Sequence, residues 1–375
     1  MHTVSRAPRA ILIDVIPPSM DRDDAAWRIT ELESLTRTFG GIVIVKLIQK
    51  RSLPDYRTYV GSGKLEEIIG IAKEERADLL IVNNLLKPKQ LFALEEALRP
   101  HHMAAWDRVD LILKIFQKHA TTAEAKLQIK LAAIKHMGPR IFGMGMELSQ
   151  QAGGIGTRGI GETNTELMRR HLADQERQVK KELEKAARSR GVHRARRERL
   201  GLPTASIVGY TNAGKSSLLN ALTKKGAFVA NALFATLDTR VSKLWLKGET
   251  PESEGSIVLL SDTIGFIQDL PPDLISAFRS TLDETIEADL LLHVIDAGDA
   301  HLHEKIAEVE DILQQLGTTG TPRIYVFNKM DTAPDLDRAA LTEHYADMTP
   351  TFVSCLDGRG LDDVKRAIAD RLRAA

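Results

Sequence analysis

Gly209-Tyr-Thr-Asn-Ala-Gly-Lys-Ser216 lies between an apolar run, Ala205–Val208, and a helical pattern, Lys215–Leu222. That strand–loop–helix context is what a phosphate-binding loop of the form G-x-x-x-x-G-K-[ST] requires, and few folds need the spacing for packing alone. Its glycines let backbone N–H groups wrap an anion. Lys215 is placed to reach the β- and γ-phosphates, the Ser216 hydroxyl to ligate Mg²⁺, and the helix N-terminus adds partial positive charge. Tyr210, Thr211, Ala213 and Ser217 are counted with the loop as nucleotide-contacting positions. Taken alone, the loop leaves ATP and GTP equally open.

Two further motifs decide the base. Asp262-Thr263-Ile264-Gly265 ends the run Ile257–Leu260. Its aspartate can hold Mg²⁺ through water, and the Gly265 N–H can meet a γ-phosphate. Asn328-Lys329-Met330-Asp331 follows Ile324–Phe327. The Asp331 carboxylate can accept from guanine N1–H and the exocyclic amine together; adenine lacks that pair of donors, and a mismatched base leaves buried polar groups unpaired. Asn328 is expected to brace the phosphate loop and the Lys329 stem to lie on the base. Ser354-Cys355-Leu356 ends the next strand, where small GTPases place a backbone donor for guanine O6; Cys355 there reads as a small spacer. Thr236, in Phe234-Ala235-Thr236-Leu-Asp238, is expected to join the Mg²⁺ shell when a γ-phosphate is present, which makes 227–239 one switch loop and 264–272 the other. Lys215, Thr236 and Gly265 are the groups expected to act on the transferring phosphate.

The position after D-x-x-G, where many GTPases carry a water-orienting glutamine, is Phe266. Slow intrinsic hydrolysis, raised by a partner or an ion, follows. Asn212 is the candidate for the ion: the sequence resembles the translation-factor-class GTPases whose asparagine at this loop position ligates K⁺. Its plainer reading is a turn residue.

Around these motifs the chain reads as α/β. Strands Ala205–Val208, Ile257–Leu260, Leu290–Ile295, Arg323–Phe327 and Thr351–Ser354, with an antiparallel edge at Val241–Leu246, alternate with helical patterns and predict a doubly wound P-loop domain over 201–375. Residues 1–118 predict a smaller, mainly parallel α/β domain, with Val109–Phe116 open between strand and helix. Between them, 119–200 reads as an antiparallel helical hairpin: one helix ends at Gly138-Pro139, a glycine-rich tip loop fills 138–163, and a long charged helix follows. From Arg158 to Arg199 there are 13 Lys and Arg against 7 Asp and Glu, a net +6. A solvated helical face explains this as readily as an RNA-phosphate surface, until the late cluster Arg188, Arg190, Arg194, Arg196, Arg197 and Arg199, which few acids interrupt, favours RNA.

Composition sets the outer bounds. The 375 residues carry 51 basic and 51 acidic side chains, so no global field drives the chain onto nucleic acid or lipid. One cysteine excludes an internal disulfide framework and fits a reducing cytosol. No apolar run approaches the roughly 18–20 residues of a membrane span. A cytoplasmic protein is expected.

The whole chain resembles the HflX family, bacterial GTPases that act on the ribosome. The resemblance rests on the stretches 56–64, 106–116, 124–128, 233–238, 262–267 and, most specifically, Gly153-Gly-Ile-Gly-Thr-Arg-Gly-Ile-Gly-Glu162. It implies an α/β N-terminal domain, a helical hairpin and a GTPase domain, binding to the large ribosomal subunit, and separation of stalled or stressed ribosomes into subunits. It also implies that the hairpin loop reaches toward the peptidyl-transferase centre, with Arg140 and Arg158 against rRNA and the Arg188–Arg199 cluster near the hairpin base. GTP and GDP, Mg²⁺, K⁺ as a candidate, and a monomer off the ribosome complete the expectation. Three departures stand out: the extra C-terminal domain of some members is not seen, Thr239 replaces a frequent proline, and Ser354-Cys355 replaces a Ser-Ala turn.

Competing readings remain at this level. A large-subunit assembly GTPase would carry the same motifs, and so would a binding protein that uses GTP only as a timer. An ATP-driven RNA remodeller would need a helicase core, which the sequence lacks. Gly61-Ser-Gly-Lys64 suggests a second phosphate loop but has Leu65 where Ser or Thr belongs.

Overall fold

The computed structural model describes residues 6–151, 158–223, 240–247, 255–263, 265–268, 274, 282 and 285–374. The chain divides into two compact units, 1–118 with 127–182 and 119–126 with 183–375.

In the first unit, β1 (Arg9–Ile16), α1 (Arg22–Phe39), β2 (Ile42–Lys50), α2 (Ser62–Glu75), β3 (Leu79–Val82), α3 (Pro88–Leu98), β4 (Ala104–Asp107) and α4 (Arg108–His119) alternate. The four strands form a parallel sheet in the order β2-β1-β3-β4. β1 is buried almost throughout, which is why it reads as an unbroken apolar run rather than an alternation. α1 starts at Asp21, whose carboxylate accepts from Asp23 N at 3.1 Å, and stops at Gly40, held at φ +98°. Val109–Phe116 is helical: Asp107 Oδ1 accepts from Asp110 N at 2.9 Å while Asp110 Oδ2 accepts from Asp107 N at 3.2 Å, a reciprocal cap that starts α4 one residue after the strand. Asp14, inside β1, is fully buried and is held by Arg28 Nε at 2.9 Å and Asn83 Nδ2 at 2.8 Å.

Two long helices follow, α5 (Ala123–Gln151) and α6 (Arg158–Arg199). The glycine-rich tip expected over 138–163 is therefore corrected. Helix runs through Gly138-Pro139 to Gln151 and resumes at Arg158. A proline inside a helix forfeits one backbone hydrogen bond but need not end it when apolar residues at helical spacing continue beyond, as Ile141, Met144 and Leu148 do. Six residues, 152–157, lie outside the described residues.

In the second unit, β5 (Thr204–Gly209), α7 (Lys215–Thr223), β6 (Arg240–Leu246), β7 (Ser256–Asp262), β8 (Leu290–Asp296), α8 (Leu302–Gln315), β9 (Arg323–Asn328), α9 (Arg338–His344), β10 (Thr351–Phe352) and α10 (Leu361–Ala374) build a six-stranded sheet in the order β10-β9-β8-β5-β7-β6. Only β6 runs antiparallel, against β7. A core of Ile207, Leu218, Leu260, Leu292, Val326, Val353 and Ile368 fills one face, and Val208, Phe266, Leu291, Val309 and Leu313 fill part of the other. The helix expected over Pro272–Glu287 lies mostly outside the described residues.

Candidate nucleotide-binding site

The loop leaves β5 at Gly209, and the strand order places β5 between β8 and β7, in the middle of the sheet. Gly209 adopts φ +142°, and a Cβ there would lie 2.3 Å from the Val294 carbonyl oxygen, so only glycine lets the loop leave this close to β8. Asn212 adopts φ +63° and Gly214 φ +98°, the left-handed turns that fold the backbone into a cradle. Lys215 closes it: its Nζ donates to the carbonyls of Gly209 at 3.1 Å and Tyr210 at 2.7 Å. Burial pushes the Lys215 ammonium down to about 8, and the nearby Asp262 carboxylate opposes the shift.

Ser216 Oγ donates to Asp262 Oδ2 at 2.7 Å. Asp262 is fully buried at the end of β7. A hydroxyl and a carboxylate this close, both hard oxygens, fit Mg²⁺, which keeps several waters and takes one or two protein ligands. Gly265 passes close over the loop; a Cβ would meet Lys215 Nζ and Thr211 at 2.8 Å. The Thr263 hydroxyl turns inward to the Ile207 carbonyl at 2.8 Å, which makes it a structural group.

Phe266 is 1% exposed. Its backbone is stitched to the loop: Thr211 N donates to Phe266 O at 2.7 Å, and Phe266 N donates to Gly209 O at 3.1 Å. The Gln268 N–H then donates to the Tyr210 hydroxyl at 2.7 Å. Position 266 is thus a buried core residue packed with Val208, Tyr210 and Leu291.

At the other end, Asn328 bridges three segments. Its Nδ2 donates to Ala213 O at 3.0 Å, and its Oδ1 accepts from Cys355 N at 3.2 Å. Ser354 Oγ donates to Asp331 Oδ1 at 2.7 Å, which fixes that carboxylate. Lys329 stands at φ +65° with its ammonium 2.7 Å from Asp296 Oδ2. Burial, reinforced by Asp331, pushes the Cys355 thiol up to about 12, so it is no nucleophile. Leu356 is 85% exposed and stands clear of this network.

Asp296 was not legible as a site group, because its partner Lys329 lies 33 residues away; Tyr210 and Ala213 were counted with the loop, but the bond of the Tyr210 hydroxyl to Gln268 N is announced by nothing local. Behind the loop, on β8, buried His293 shares Glu310 Oε1 with the Tyr325 hydroxyl, at 3.1 Å and 3.0 Å, and Arg323 pairs with the same carboxylate. Burial, then the charges of Arg323 and Lys215, push His293 down to about 3.

Phe234, Ala235, Thr236 and Ile264, with the switch segment 227–239, lie outside the described residues. Arg140 falls on α5, and Arg158, Arg190, Arg194, Arg196 and Arg197 on α6, but their side chains are likewise outside the description. Arg188 is exposed on α6. Gly61 is the N-cap of α2 and Ser62-Gly-Lys64 its first turn; a Cβ on Gly61 would lie 2.4 Å from the Arg51 guanidinium, and Lys64 pairs with Glu67 at 2.6 Å.

Comparison with known proteins agrees along the chain. Residues 27–117 match the family described as GTP-binding GTPase N-terminal, 119–197 the GTP-binding GTPase middle region, and 204–329 the 50S ribosome-binding GTPases. The GTPase HflX of Caldanaerobacter subterraneus subsp. tengcongensis is 46% identical over 86% of this chain and 72% of its own length. That of Escherichia coli is 36% identical over 92% and 79%. A GTP-binding protein of Sulfolobus solfataricus, solved in complex with GDP, shares the fold with a TM-score of 0.51 at 23% identity, over 98% of this chain and all of that one. The complete set of phosphate-loop, D-x-x-G and N-K-x-D elements, on a chain matched over most of its length by such relatives, makes this protein a GTPase that belongs to the HflX family.

Proposed function

We propose that this protein, in its GTP-bound form, binds the large ribosomal subunit and splits or rescues stalled ribosomes, and that hydrolysis releases it. The match of 204–329 to the 50S ribosome-binding GTPases carries the reading. The net +6 of 158–199 supports an rRNA-facing hairpin, with Arg140, Arg158 and the Arg188–Arg197 cluster as its contacts. The working parts are 1–118, the hairpin 119–200 and the GTPase domain 201–375, in a cytoplasmic monomer off the ribosome.

In this reading the loop N–H groups and Lys215 hold the β- and γ-phosphates, and Asp331 selects guanine while Asn328 keeps base and phosphate subsites in register. Cys355 N–H and its neighbour Leu356 border the base. Ser216, Thr236 and Asp262 would hold Mg²⁺, which neutralises charge on the phosphates when bound. Asn212 would hold K⁺ beside them. Gly265 N–H meets the γ-phosphate. Phe266 supplies no polar group for water, so the chemistry waits for a docked partner.

Density-gradient profiles test the proposal. Addition of the protein with a non-hydrolysable GTP analogue should convert whole ribosomes into subunits; an unchanged profile overturns it. The GTPase rate should rise with purified ribosomes, and in K⁺ relative to Na⁺. Equal rates in the two salts remove the role of Asn212.

A further inference from the structure

We propose that Asp107, Asp110 and His136 form a divalent-metal site in the N-terminal unit, with Zn²⁺ the ion their chemistry suits. The three residues bring one ligand atom each within 4.8 Å of one another, on the N-terminal turn of α4 and the facing surface of α5. The proposal is independent of the nucleotide site and of any role on the ribosome.

The separations match the spacing of metal ligands. His136 Nε2 lies 3.3 Å from Asp107 Oδ1 and 3.4 Å from Asp110 Oδ1. Ion pairs in this molecule span that range too, from 2.7 Å at Lys329–Asp296 to 3.3 Å at the buried Arg108–Glu31, and the His136–Asp107 contact is also within hydrogen-bond reach. Ligand atoms held about 2.0–2.1 Å from a tetrahedral ion stand about 3.3–3.4 Å apart. Both observed separations fall on that edge length.

The surroundings suit an ion as well. The side chains of Asp107, Asp110 and His136 are 0%, 13% and 12% exposed, so water competes weakly. Both carboxylates are aimed before any ion arrives. Asp110 N donates to Asp107 Oδ1, Asp107 N donates to Asp110 Oδ2, and Leu86 N donates to Asp107 Oδ2 at 3.4 Å. Such outer hydrogen bonds orient ligands in known metal centres. One imidazole nitrogen with two carboxylate oxygens is a donor set Zn²⁺ accepts, with a fourth position left for water. The ion would tie the first turn of α4 to α5.

The test uses the full-length protein, stripped with a chelator and saturated with Mg²⁺ and GDP so that the nucleotide site is filled. Zn²⁺ is titrated against a chromophoric chelator, and thermal unfolding is followed in parallel. Wild type should take up one equivalent and gain in melting temperature. His136→Ala and Asp110→Asn should each bind Zn²⁺ at least tenfold more weakly and lose the thermal gain, while GDP affinity stays at the wild-type value. Asp110→Asn keeps an oxygen for the Asp107 N–H, so the helix cap survives and the variant separates lost ligation from lost folding. Uptake that is absent in wild type, or equal in wild type and both variants, overturns the site and leaves His136 as an ion-pair partner alone.

Discussion

Asn328 Nδ2 donates to the Ala213 carbonyl at 3.0 Å across 115 residues of sequence, so the base-recognition strand and the phosphate loop are one mechanical piece. Gly214 lies under that contact: a Cβ on it would stand 2.1 Å from the same nitrogen, at φ +98°. Gly214→Ala should therefore push Asn328 off the loop and strain the backbone, at about 1–3 kcal/mol of stability. GDP affinity, read by fluorescence of a labelled nucleotide, should fall at least roughly tenfold. Unaltered affinity would show the brace to be dispensable.

Asp331→Asn should exchange the base. Ser354 Oγ fixes the carboxylate at 2.7 Å, and an amide in its place presents a donor to guanine N1–H. GTP affinity should drop by about 100-fold or more, and xanthosine triphosphate should bind in its place. Competition between the two nucleotides reads this directly.

Phe266→Gln should not create a faster enzyme. The ring is 1% exposed among Val208, Tyr210 and Leu291, and the backbone at 266 is bonded to the loop on both sides. An amide buried there costs about 2–4 kcal/mol and faces the core. Urea unfolding should show the loss, and single-turnover hydrolysis without ribosomes should stay at or below the wild-type rate.

His293 makes stability depend on acid. Its ordinary value is 6.5, and burial holds it at about 3 in the folded protein. The unfolded chain takes up this proton below about 6.5 while the folded one refuses it. Stability from this group is full above that value and is lost as pH falls toward about 3, by up to about 1.4 kcal/mol per pH unit. Denaturant unfolding at pH 7, 6 and 5 should trace that slope, and His293→Phe should flatten it.

Lys215 should couple nucleotide binding to proton uptake. Burial holds its ammonium at about 8. Phosphates beside it favour the charged form, so the bound value is higher and binding takes up a proton above pH 8. Affinity should be level below that pH and fall above it, by up to about tenfold per unit. Calorimetry at pH 8.5 in two buffers of different ionisation enthalpy should give unequal heats; equal heats would remove the coupling.

The legible parts of this chain were those written in short spans. Gly209–Ser216 and Asn328–Asp331 carry their chemistry within eight and four residues, and the strands around them are continuous apolar runs. β4 was missed because Ala104-Ala-Trp-Asp107 is too short to show a period. Val109–Phe116 was ambiguous because an apolar run has no intrinsic period; the reciprocal Asp107–Asp110 cap decides it. Gly138-Pro139 misled because local propensity argued for an end where the helix continues. The pairing of Asp14 with Asn83 and of His293 with Glu310 joins residues from different elements, and nothing local announces it.

The six-stranded sheet ends on one side in β10, which is two residues long, and on the other in β6, which is seven. β6 turns Val241, at 44% exposure, and Trp245, at 59%, to the outside with Lys243 between them. Among the described residues no strand pairs with the outer side of β6, and a strand edge of this kind invites a second copy to add its own strand. In the antiparallel register that would stack each Trp245 on the other copy's Val241, the two Lys243 side chains meet head on, and like charges directly opposed resist that pairing. Replacement of Lys243 by an apolar residue should therefore surface first as aggregation during expression.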